Sequence, residues 1–116
     1  MHFTFEFAQG YLRAELFSRQ TAGETDEFVE ALVAEARKAS ARRILVWVRN
    51  SRAIFRDQLS PLASQNGVRV ALLADSDEVR ASLQYIEMLA GQRGANVRAF
   101  RDERRALDWI TAQSQE

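Results

Sequence analysis

The chain has 116 residues, of which 47% are hydrophobic and 28% charged, with 16 basic and 16 acidic side chains and no cysteine. That size and balance describe a single globular core and exclude a disordered segment or a disulfide-held scaffold. Zero formal net charge argues against sequence-independent nucleic-acid binding, and no apolar run approaches the ~20 residues of a membrane span, so neither nucleic acid nor membrane insertion is expected.

The chain opens by alternation. Phe3, Phe5 and Phe7 fall on one side and His2, Thr4 and Glu6 on the other, the period of a half-buried strand. This start lacks the basic and apolar blocks of a signal peptide, which makes the cytoplasm the expected compartment. A turn at Gln9-Gly10 leads to a second alternating run, Leu12, Ala14 and Leu16 against Arg13 and Glu15, so the two form an antiparallel hairpin. Tyr11 and Phe17 lie on its polar side, an apolar patch that points to a homodimer.

After Phe17 the period changes. Thr21 to Glu27 carries helix-start chemistry, and Phe28, Val29, Leu32, Val33 and Ala36 follow as one apolar stripe, with Arg37 and Lys38 at the dipole's negative end. Ile44 to Val48 is continuously apolar, as in a strand covered on both faces, with Trp47 inside it. Residues 52–66 have helical spacing at Ile54, Phe55, Leu59 and Leu62 but also contain Pro61, which predicts a kinked helix or two short pieces, with Ser60 as a cap. Val68 to Ala74 is a further buried strand, Asp75 to Glu78 caps a helix buried through Val79, Leu83, Ile86, Leu89 and Ala90, and Gly91 and Gly94 mark its end. A short strand from Val97 to Phe100 and a helix opened by Asp102-Glu103 complete the chain. The order is β-β-α-β-α-β-α-β-α: an α/β fold with a mainly parallel sheet and one antiparallel strand at its start. Trp47, Tyr85 and Trp109 read as core residues before they read as a ligand cage.

Chemistry in such sheets collects beyond the carboxyl ends of the parallel strands. One of those ends carries Arg49, Asn50, Ser51 and Arg52, with Arg56 further on. Two guanidinium groups, an amide and a hydroxyl leading into a helix N-terminus form a candidate anion site. The plainer alternative is that Ser51 caps that helix and the arginines are solvated. Asp75, Asp77 and Glu78 read as cap and dipole chemistry before metal ligation or acid–base work. His2 is the only histidine, and no Walker loop, dinucleotide glycine pattern or nucleophile elbow occurs. No catalytic residue, metal or cofactor is therefore assigned.

The order of elements resembles that of the SpoIIAA-like fold of STAS domains, and more closely the small bacterial SpoIIAA-like (STAS/SEC14-type) proteins. Val70 to Asp75 is similar to that family's fourth strand, and Asn96 to Glu103 with Ala106, Leu107, Asp108, Trp109 and Ile110 is similar to its closing strand and helix. The likeness covers nearly the whole chain as one domain, residues 1–116, and consists of packing motifs. It implies a non-enzymatic binding or regulatory module with a protein partner, of the anti-sigma-factor-antagonist kind. Ser51 is the positional match to that group's phosphorylated serine. The flanks depart from the usual pattern, since Asn50 and Arg52 stand where an acid and a small residue are the rule. The SEC14-type likeness implies instead an apolar small molecule or lipid as ligand. A small-ligand protein or enzyme using residues 49–52 is the alternative.

Overall fold

The computed structural model describes residues 1–64 and 67–112. Strands β1 (His2–Ala8) and β2 (Tyr11–Phe17) pair antiparallel, with Phe3 opposite Leu16 and Phe7 opposite Leu12, so like faces meet. Gly10 turns the chain between them at φ 81°, a left-handed conformation that glycine adopts at little cost. Helix α1 (Ala22–Ala39) begins in a capping box: the Thr21 hydroxyl accepts from the Glu24 N–H at 3.1 Å, and the Glu24 carboxylate accepts from the Thr21 N–H at 3.1 Å. The predicted stripe is the buried one, through Phe28, Leu32 and Ala36.

Strands β3 (Arg43–Arg49), β4 (Arg69–Ala74) and β5 (Val97–Ala99) follow, separated by α2 (Ser60–Ala63) and α3 (Asp77–Gln92), and α4 (Glu103–Thr111) comes last. The sheet order is β1-β2-β3-β4-β5, parallel from β2 onward. This is the expected α/β architecture, compatible with a STAS-like fold. Because the order never reverses, right-handed crossovers place their helices on a single face. Accordingly α1, α2 and α3 close over Ile44, Val46, Val70 and Leu72. Only α4, which follows the last strand, folds onto the other face, against Leu45, Ala71 and Leu73.

Two expectations need correction. Residues 51–59 form no helix, and the predicted stretch reduces to the single turn of α2 (residues 65 and 66 lie outside the described residues). The reason is Asp57. Its wholly buried carboxylate accepts from the N–H groups of Leu59 at 3.0 Å and Ser60 at 3.1 Å, from the Ser60 hydroxyl, and from Arg93 at 3.2 Å. A side chain that binds backbone two and three residues ahead competes with helix through that stretch. Leu59, rather than Ser60, occupies the cap position.

The second correction concerns the aromatics. Trp47 and Trp109 are half-buried and Tyr85 is exposed. Leu89 is also only half-buried. Helix α4 covers β4 and part of β3, so Trp47 sits at the margin of that layer, its indole N–H donating to Glu103 at 2.8 Å. Tyr11 packs against the same layer, and Phe17 stacks on His2 at 4.4 Å between ring centres, so the two do not form a bare patch.

Candidate ligand-binding site

The corner after β3 is an ordered turn. Asn50 takes a left-handed conformation at φ 46°, its N–H donates to Asp75 at 3.0 Å and its side-chain amide donates to the Ser18 hydroxyl at 3.3 Å. The Ser51 hydroxyl donates to the Arg49 carbonyl at 2.8 Å and accepts from the Arg19 N–H at 3.1 Å. No helix begins at Ser51, so the expected N-terminal dipole is not there, nor is the capping role.

The two arginines of the corner do not converge. Arg49 belongs to the face that carries Trp47. Its guanidinium lies 4.1 Å from that ring's centre and 3.4 Å from Glu15. Arg52 lines an open hollow of about 430 Å³ with Asn50 and Ser51, but Asp75 and Glu78 line it too. Two carboxylates beside one guanidinium leave that hollow poorly suited to an anion.

What the corner does hold is a different arginine. The Arg52 N–H donates to the Arg19 carbonyl at 2.9 Å, and the Arg19 guanidinium donates back to the Arg52 carbonyl and to the Thr25 hydroxyl at 3.4 Å. Arg19 is 4% exposed and its Nε–H has no partner. Among the described residues no carboxylate forms an ion pair with it. Glu24 exerts some attraction, but its oxygens are engaged by the N–H groups of Gln20 and Thr21 and by the Met1 amino group. Burial accordingly holds the Arg19 guanidinium below its ordinary pKa, with Glu24 acting in the opposite direction. A guanidinium nevertheless stays charged in a protein.

Arg19 lines a cavity of about 30 Å³ between the sheet and α1 and α3, near the carboxyl ends of β2 and β3. Its walls are apolar: Leu16, Phe28, Val46, Leu59, Leu83 and Ile86 are among them, with Arg56 and Gln58 entering from the irregular 51–59 stretch. Gln58 donates to the Ala22 carbonyl at 2.9 Å and to Asp26 at 2.6 Å, while its own carbonyl is buried without a partner. Arg19 and Gln58 thus line one cavity, and each carries a buried polar atom without a partner.

Sequence reading missed Arg19 because nothing local marks it. It stands between a strand and a capping threonine, where an arginine is ordinarily solvated, and only the tertiary fold buries it. The remaining candidates stay bland: His2 is a surface stacking residue, and no group of acids and histidine among the described residues is arranged to hold a metal ion. No described helix is long and apolar enough to cross a membrane. Compared with known proteins, the chain matches no family model and no curated sequence.

Proposed function

We propose that this chain is a binding module of the SpoIIAA-like (STAS/SEC14) kind, without a reaction of its own, whose ligand is a small organic carboxylate held by Arg19. The observation that carries this is the buried guanidinium without a carboxylate. An unpaired charge in that setting costs several kcal/mol, and an anion seated against Nε offsets it. The apolar walls select hydrocarbon beyond the head group. A volume near 30 Å³ takes a carboxylate and little more, so a longer tail requires the irregular 51–59 stretch to give way. That stretch has no helical or strand hydrogen bonding and is held by side chains, Asp57 and Gln58 among them, so it is the part of the wall that opens without breaking a helix or strand.

Titration with butyrate, hexanoate and octanoate, followed by NMR, tests the reading. Affinity is expected to rise about fourfold per added methylene, the increment of one buried CH₂. Shifts confined to exposed arginines, with no dependence on chain length, contradict it.

A protein partner is the second reading. It is favoured by a surface patch beside the same stretch, where Phe55 is 57% exposed, Tyr85 40% and Met88 49%. Phe55 and Tyr85 meet edge to face at 5.7 Å, a ready-made aromatic anchor. Control of such docking through Ser51 requires its hydroxyl to leave the Arg49 carbonyl and the Arg19 N–H. A phosphoryl group there would therefore loosen the frame around Arg19.

A further inference from the structure

Strand β1 is one edge of the sheet, opposite the three-residue β5, and Glu6 and His2 are the only ionisable side chains along it. All seven of its residues pair in unbroken register with β2, and it contains no lysine, proline or bulge. Phe7, on the same side as Phe3 and Phe5, is 58% exposed. Beside the strand, Met1, Phe3, Glu27, Glu30, Ala31 and Ala34 line an open hollow of about 600 Å³ between β1 and α1. A bare edge, a projecting aromatic ring and a hollow on the same face are the parts of a self-complementary contact.

We propose that two copies of this chain join through β1, antiparallel about a twofold axis at Thr4, into one ten-stranded sheet. That register sets His2 of each copy opposite Glu6 of the other on the polar side. On the apolar side it sets Phe3 opposite Phe5, and Phe7 opposite Met1 at the mouth of the hollow. The competing register, centred on Phe5, puts Glu6 opposite Thr4 and leaves His2 against Ala8. The pairing of an imidazole N–H donor with a carboxylate acceptor selects the first. Each strand's outward backbone groups then find partners, and both exposed Phe7 rings are covered.

Sedimentation velocity over a wide concentration range tests this, with thermal melts of every variant as a check on folding. The wild-type chain is expected to sediment as a dimer. Phe7→Lys is expected to sediment as a monomer while melting normally, since the ring is mostly exposed. His2→Glu and Glu6→Lys alone each mismatch two pairs per dimer and should weaken association about fivefold. The double variant, which exchanges the charges, should restore it. A wild-type monomer at high concentration overturns the proposal, as does a dimer that survives Phe7→Lys. Failure of the double variant to recover overturns the register.

Discussion

Asp57 and Arg19 are the two buried ionic residues on which the irregular stretch depends, and they differ in one respect. Asp57 is fully satisfied, with four donors converging on its carboxylate. Removing it strands two backbone N–H groups and the buried Ser60 hydroxyl, so Asp57→Ala is expected to cost ~2–4 kcal/mol in urea unfolding. A loss below ~1 kcal/mol would mean that the 51–59 stretch is held by something else. Arg19 has hydrogen bonds on its terminal nitrogens but no counter-charge among the described residues, and its Nε–H is buried without a partner. Its neighbours in sequence gave no sign of either environment. Asp57 sits in a run with apparent helical spacing, and Arg19 sits in a linker. Burial of both is a product of long-range packing, which local pattern does not encode.

At the scale of elements, the strands and long helices were legible because their periods are strong and their caps local. Thr21, Ser76 and Asp102 all cap as polar residues ahead of apolar stripes do. What pattern did not reveal is how much of a face each helix covers. The continuous run Ile44 to Val48 reads as buried on both sides, yet α4 is only nine residues long and leaves Trp47 half-open. Trp47→Ala should therefore cost ~1–2 kcal/mol, less than the ~3–5 kcal/mol of a fully buried tryptophan, whereas Leu45→Ala, at 0% exposure, should cost ~2–5 kcal/mol. Equal losses in urea melts would contradict this difference in cover.

The same margin is fastened electrostatically. The Trp47 indole N–H and the Arg13 guanidinium, 2.5 Å away, hold the Glu103 carboxyl below its usual range. A lowered carboxyl contributes stability that is present above its unfolded pKa of ~4.3 and is lost as pH falls through the folded value. With the Glu103 side chain 38% exposed, that contribution is below ~1 kcal/mol. In a Trp109→Phe background, where Trp47 alone reports, its emission should change as the solution is acidified below about pH 4.3, and Glu103→Gln should flatten that change. An unaltered titration in the Gln variant would show that α4 is fastened without Glu103.

Over the whole molecule, the monotonic strand order explains why the carboxyl-end corner offers no crevice. A crevice forms where strand order reverses and neighbouring connections diverge to opposite faces. Here every crossover steps the same way, so the 49–52 corner closes into a hydrogen-bonded turn, and an apolar recess near it lies under α1 and α3. The corner residues were legible as a polar cluster. Their role, framing Arg19, emerges only once β2, β3 and the start of α1 are brought together. Under the proposed function, Arg19 is kept buried for an anion rather than for the fold. The most direct test is Arg19→Met, which keeps the length and apolar fit while deleting the charge, measured in one urea-unfolding series with and without octanoate. Octanoate is expected to stabilise the wild-type chain and leave the variant unmoved, while the ligand-free variant is at least as stable as wild type. A variant ~3–5 kcal/mol less stable than a wild-type chain that itself ignores octanoate would contradict it, and would make Arg19 a structural brace.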